Sequence, residues 1–199
     1  SSFRARRSYT LLERINARAF DLYHRNQDLE GVLSSLTYLT KHYASDGTFQ
    51  ADLESETFYF GSKAAMKVLF YEYECHLRSL RGETMDIPLS TWMSSDYQID
   101  HIWAQAALSA GADYQEYLEC GNKLGNLAVV PARTNIAMSN QNFSYKKNAY
   151  RESGLEALKG IAEAPHWRRH EIQKRTTELA NFALRRWSLP KKALLQRIS

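Results

Sequence analysis

Between Tyr97 and Lys147 the chain carries residues whose types suit the hydrolysis of a phosphodiester. The dipeptide Asp100-His101 closes the alternating run Tyr97-Gln98-Ile99. Asn126 follows within Leu124-Gly125-Asn126-Leu127, and Asn135, Asn140 and the pair Lys146-Lys147 come after it. Hydrolysis needs a base to take a proton from the attacking water, and a cation near the leaving oxygen as that oxygen gathers charge. Histidine suits the first task because it titrates near working pH. A carboxylate and one neutral oxygen ligand suit the second: they can hold a hard cation such as Mg²⁺ and leave most of its coordination sphere to water and phosphate. Asp100 and Asn135 could supply those two oxygens, and His101 the base. Neighbours on a strand point to opposite faces, so Asp100 and His101 can divide these tasks only where the strand ends or bends. An amide at Asn126, in an apolar run, is costly unless it is hydrogen-bonded, and its natural use is to pin the loop that carries the histidine. Taken singly, each residue has a plainer use: a chance Asp-His pair, asparagines as caps or turns, two solvated lysines.

Two strands should position these residues. Tyr97–Trp103 and Leu124–Val130 alternate or run apolar, and together they suggest an antiparallel pair whose connection is longer than a tight hairpin. The connecting segment from Ala104 to Gly121 has room for one short helix. Helices should surround the pair. Periodic apolar stripes predict them over 3–26, with Leu12, Ile15, Ala19 and Leu22 on one face, and over 29–43, with Val32, Leu36, Leu39 and Tyr43. A stronger stripe over 62–81 places Met66, Leu69, Phe70, Tyr73, Leu77 and Leu80 in a core, ended by Gly82. Residues 45–62 read as mixed, with a turn at Asp46-Gly47 and a short strand or packed loop at Thr57–Phe60. The stretch from Glu83 to Asp96 reads as a loop. Further helices should begin near Ala132 and cover Gly154–Ala162 and Arg168–Trp187, with Pro165 as a start signal for the last. The expected fold is therefore α+β and mainly α-helical: a helical bundle that carries a small two-stranded motif.

At 199 residues the chain can bury a good-sized core without disulfides or structural metal. Cys75 and Cys120 stand apart, which fits a reducing, cytoplasmic setting and not a zinc ribbon. No apolar run approaches a membrane span. The chain opens Ser1-Ser2 without an initiator Met, which suggests a piece of a longer protein. Charge is unevenly spread. Residues 44–120 hold 13 acidic against 4 basic side chains, a net of −9, and residues 145–199 hold 13 basic against 5 acidic, a net of +8. A basic third of this kind suits a polyanion, although the two regions could also neutralise each other. His166 and His170 lie four apart, a spacing that can hold a transition metal, but Arg168 and Arg169 between them disfavour a cation. Cys120 has no neighbouring histidine and reads as an ordinary thiol.

In order and spacing, Ile99-Asp100-His101-Ile102-Trp103-Ala104-Gln105, then Leu124-Gly125-Asn126-Leu127, Pro131, Asn135, Ser139-Asn140, Phe143, Lys146-Lys147 and Tyr150 resemble an HNH (His-Me finger, ββα-metal) endonuclease. More closely, they resemble the C-terminal nuclease domain of GmrSD-type modification-dependent restriction enzymes. Trp167, Arg175 and a helix ending at Trp187 fit the same pattern. The likeness is specific over residues 97–187 and looser over the preceding helices. It implies Asp100 and Asn135 as ligands of Mg²⁺ or Mn²⁺, His101 as general base and Asn126 as the brace of the base-bearing loop. Asn140, Lys146 and Lys147 would stabilise the motif or touch phosphate. One departure is Ala104, where the family usually has a proline that shapes the strand exit.

The resemblance implies a metal-dependent DNA endonuclease, nicking or cutting both strands, that acts as the effector of an anti-phage restriction protein. Its DNA, possibly modified, would be held by the basic region, with Lys146, Lys147, Arg168 and Arg169 on the backbone. Target choice would reside in an N-terminal nucleotide-hydrolysing, ParB-like domain outside this sequence. On this reading residues 1–95 form a helical part, 96–150 the ββα-metal core and 151–199 the basic C-terminal helices of one compact domain. The competing reading is a non-catalytic helical module that binds DNA or a partner chain and keeps a degenerate motif.

Overall fold

The structure, a computed structural model, describes residues 45–104 and 112–188, with scattered positions between 17 and 38. Most of the two expected N-terminal helices, and the tail after Pro190, lie outside the described residues; the described positions between 17 and 38 are helical, and Val32 is buried. The packing separates two compact units. One comprises Ser1–Ala51 with Ala183–Ser199, and the other Asp52–Phe182.

Helix α1 spans Asp46–Glu54. Ser45 caps its start, accepting from the Thr48 N–H at 3.2 Å. A helix here corrects the expected turn at Asp46-Gly47, and the following Glu56–Phe58 is a turn of 3₁₀ helix, not a strand. Gly47 lowers helix propensity, and the cap offsets a cost of similar size, each about 1 kcal/mol.

In the second unit, α2 (Lys63–Ser79) is the long helix expected from the strongest stripe, with Met66, Leu69, Phe70 and Tyr73 buried. The Ser62 hydroxyl accepts from the Ala65 N–H at 3.2 Å at its start. Gly82, at φ +75, turns the chain at its end. The stretch read as a loop holds a short helix, α3 (Leu89–Met93). Its Trp92 is buried, donates to the Lys67 carbonyl at 2.9 Å and stacks on Tyr97, which ties the start of the first strand to α2.

Strands β1 (Tyr97–His101) and β2 (Leu127–Pro131) pair antiparallel, with Asp100 opposite Ala128 and His101 opposite Leu127. Both are shorter than expected. β1 stops at His101, two residues early. β2 begins three residues late, because Leu124–Asn126 form a 3₁₀ turn. Between them lies α4 (Ala112–Cys120). After β2 come α5 (Ala132–Met138) and α6 (Phe143–Glu152), the latter capped by Asn142, whose Oδ1 accepts from the Tyr145 N–H at 3.0 Å. Then follow α7 (Glu156–Ala162) and α8 (Arg169–Arg186).

Two polar devices fix these helices. The Glu74 carboxylate, wholly buried on α2, accepts from the Glu156 and Ala157 N–H groups at 2.9 Å each and from Arg78 Nε at 3.0 Å. It thus satisfies free donors at the start of α7 and meets the positive end of that helix. At the start of α8, Glu171 reaches back to the Arg168 N–H at 3.1 Å, half of a capping box.

Candidate functional site

The site is built where β1 ends. The Ile102 N–H donates to the Asn126 carbonyl at 2.8 Å, the last backbone bond of the hairpin. Beyond it the Asn126 side chain takes over. Its Oδ1 accepts from the Trp103 N–H at 2.8 Å, and its Nδ2 donates to the Trp103 carbonyl at 3.1 Å and to the Gly121 carbonyl at 2.8 Å. Asn126 is fully buried, so one amide satisfies three backbone groups that no strand partner reaches. The chain therefore leaves the sheet directly after His101.

The turn that presents Asn126 is held from behind by α8. Thr176 Oγ1 accepts from the Gly125 N–H at 3.0 Å, and Arg175 donates to the carbonyls of Gly125 at 2.9 Å and Leu127 at 2.6 Å. Burial pushes the Arg175 pKa down to about 10, with Tyr73 and Glu178 opposing. A Cβ on Gly125 would lie 2.0 Å from the Ile172 carbonyl oxygen. Only glycine allows this approach, which gives the Leu124-Gly125-Asn126 motif its physical reason.

His101 is partly buried, with its ring centroid 4.9 Å from that of Tyr59 and 6.5 Å from that of Tyr117. Its Nε2 lies 3.1 Å from Asn122 Oδ1. With that oxygen as acceptor, Nε2 carries the proton and Nδ1 keeps its lone pair. Burial holds the imidazole below its ordinary pKa. The Lys146 ammonium adds to that effect, while the Asn122 bond and the Asp100 carboxylate oppose it. The ring is thus biased toward its neutral form at neutral pH.

Asp100 faces other partners. Lys146 Nζ donates to Asp100 Oδ2 at 2.6 Å and to the His101 carbonyl at 2.7 Å. The Lys146 side chain is 0% exposed and that of Asp100 16%. Lys146, read in sequence as stabilising the motif or touching phosphate, is an interior cation. Phe143, Lys146 and Tyr150 form the buried face of α6, and their i, i+3, i+7 spacing was the available signal. Asn135 donates through Nδ2 to Gln98 Oε1 at 2.8 Å. Gln98 and Asp100 stand two apart on β1 and share a face, so Asn135 and Lys146 both approach the side of the strand that carries Asp100.

Other expected residues lie elsewhere. Lys147 is partly exposed and lies 5.8 Å from the Phe143 ring centroid. Asn140 is exposed in the turn after Ser139, whose φ is +44. Arg168 stacks on Trp103, with its guanidinium 4.6 Å from the ring centroid. Arg169 pairs with Glu119. Arg169–Glu119 and Lys146–Asp100 meet part of the charge asymmetry inside the chain. His166 precedes α8 and pairs with Glu171 at 3.3 Å, so His166 and His170 do not stand on one helical turn. Cys120 is buried and free; burial pushes its thiol up to about 11. Sequence reading missed Asn122, Tyr59, Tyr117 and Gln98. Tyr59 falls in the segment read as a short strand or packed loop, and no spacing or motif marks the other three.

Among the described residues no three His, Cys, Asp or Glu side chains form a metal cluster. The donors on Asp100's face are a carboxylate and an amide, an oxygen set that fits a hard divalent cation retaining most of its water. No helix among the described residues is long and apolar enough to cross a membrane.

No curated protein and no solved structure matches the chain. Residues 43–182 match the family described as GmrSD restriction endonucleases, C-terminal domain. That match covers both strands, the Asn126 turn, α6 and α8 up to Phe182, so the chain belongs to the C-terminal domain family of the GmrSD restriction endonucleases.

Proposed function

We propose that this domain is a metal-dependent DNA endonuclease of the HNH type, the cutting part of a restriction protein. The observation that carries the reading is His101 at the last position of β1, with the chain beyond it braced by the Asn126 side chain. That arrangement frees the imidazole from the strand and fixes it on a rigid support.

In this reading His101 Nδ1 takes the proton from the attacking water. Asn122 orients the ring through Nε2, and burial keeps it neutral and ready to accept. Asp100 and Asn135 would hold Mg²⁺ or Mn²⁺. Such an ion, when bound, supplies charge neutralisation at the phosphate and leaving oxygen. Asn126 positions the base and touches no substrate. Lys147 lies toward solvent, where it can meet the backbone; such contacts give salt-dependent affinity and carry little sequence information. The choice of target, modified or not, belongs to a further nucleotide-hydrolysing domain.

The pairing of Asp100 with Lys146 and of Asn135 with Gln98 favours a second reading, a DNA- or partner-binding module without catalysis. One experiment separates the two. Supercoiled plasmid is incubated with wild type and His101→Ala, with Mg²⁺, with Mn²⁺ and with EDTA. The endonuclease gives open-circle or linear product that needs both the metal and His101. Equal cutting by the alanine variant removes His101 from the chemistry. Plasmid retarded but uncut under every condition supports the binding module.

A further inference from the structure

We propose that Lys146 is an internal counter-ion for Asp100, and that a divalent cation and the Lys146 ammonium compete for that one carboxylate. The inference rests on the assignment of Asp100 as a metal ligand in the preceding section.

Three observations lead to it. The Lys146 side chain has no exposed surface, and its ammonium lies 2.6 Å from Asp100 Oδ2. A lysine charge is almost never fully buried unless it is paired, so this one is committed to a purpose inside the fold. Its second acceptor is the carbonyl of His101, at 2.7 Å. One ammonium therefore touches both members of the Asp100-His101 pair, the first through its side chain and the second through its backbone. Lastly, Lys146 stands on the buried face of α6 between Phe143 and Tyr150, so with the helix in place a change of partner falls to the end of its side chain.

A carboxylate oxygen that accepts a short bond from an ammonium is a poorer ligand for a second cation, and two positive charges on one carboxylate repel. In the metal-free protein the Asp100 carboxylate compensates the buried charge of Lys146. When a divalent ion arrives, Nζ yields Oδ2 and keeps the His101 carbonyl. The domain thus holds Asp100 and the end of β1 in place before metal and DNA are present, at the expense of metal affinity. Lys146 is a positioning residue that weakens resting metal occupancy.

The test is Mn²⁺ binding, read from the free-ion signal in electron paramagnetic resonance, on the full 199-residue chain. Wild type, Lys146→Met, Lys146→Gln and Asp100→Asn are compared without DNA, and circular dichroism confirms folding. Removing an adjacent positive charge should tighten Mn²⁺ binding about tenfold or more in the two neutral variants, and Asp100→Asn should abolish it. Equal or weaker binding by the neutral variants overturns the role of Lys146 while leaving Asp100 as a ligand. Binding that survives Asp100→Asn, or is missing from every protein, overturns the ligand assignment itself and this inference with it. The unmutated chain gives a second readout if neither neutral variant folds. A water-soluble amine-acylating reagent should miss the buried Lys146 without metal, and mass spectrometry should find it labelled faster with Mg²⁺. Labelling that Mg²⁺ leaves unchanged or slows also overturns the competition.

Discussion

The side-chain amide of Asn126 grips the peptide groups of Trp103 from both sides, accepting from its N–H at 2.8 Å and donating to its carbonyl at 3.1 Å. Both bonds are buried, and the Gly121 carbonyl is held as well. Asn126→Ala strands these backbone groups away from water, so it should cost about 3 kcal/mol or more of folding stability. Urea denaturation measures this. A loss below about 0.5 kcal/mol, within the range of an ordinary surface change, would show that the amide is not a brace.

Two glycines give opposite expectations for the same substitution. Gly125→Ala drives a methyl group to 2.0 Å from the Ile172 carbonyl oxygen, and the backbone must move. A loss of about 3 kcal/mol is expected. Gly160 lies within α7 with no atom within 4 Å of a built Cβ, so Gly160→Ala should raise stability by about 0.5–1 kcal/mol. Paired melting curves decide both. Equal melting temperatures for the two variants would contradict the packing described at Gly125.

The depressed pKa of His101 sets a pH dependence. The unfolded chain takes up this proton near pH 6.5, and the folded chain only at lower pH. Between those values the unfolded state holds more protons, so stability rises with pH. The contribution is complete above about 6.5 and is lost as pH falls toward the folded value. Cleavage should follow the same limb, because the base must be neutral. A pH–rate profile whose acid limb lies above the ordinary histidine value would argue that burial does not govern this ring.

Glu74 offers a control remote from the chemistry. Its carboxylate accepts three bonds from Arg78, Glu156 and Ala157. Glu74→Gln replaces an acceptor oxygen with a donor that faces an N–H or the Arg78 guanidinium, at a cost of about 2 kcal/mol. Cleavage per folded molecule should be unchanged. Coupled loss of stability and of specific activity would tie α7 to the site more closely than its contacts show.

The hairpin and the place of His101 on it were legible in sequence, because alternation and apolar runs are local signals. The three residues before β2 were not. Leu124–Val130 is apolar except at Asn126 and reads as one strand, whereas the 3₁₀ turn exists because Gly125 meets Ile172 and Thr176 some fifty residues later. Helix α1 was hidden by Asp46-Gly47, a sequence with turn chemistry. Lys146 was hidden by its neighbour: a Lys-Lys pair looks solvated, although one of the two lies on the apolar stripe of α6. The basic character of residues 145–199 overstated the surface available to DNA, since Arg168 rests on Trp103 and Arg169 on Glu119.

The grip of α8 on the Asn126 turn also bears on modularity. Thr176 and Arg175 hold Gly125 and Leu127 from a helix that begins 38 residues after β2 ends. Shortened to residues 97–150, the motif would lack its clasp and should be inert however well its own sequence is kept. The same geometry makes the terminal helix a natural half of a split enzyme. Fragments divided in the exposed chain between α7 and α8, expressed apart, should each be silent, and mixing them should restore cutting in proportion to the amount of helix supplied.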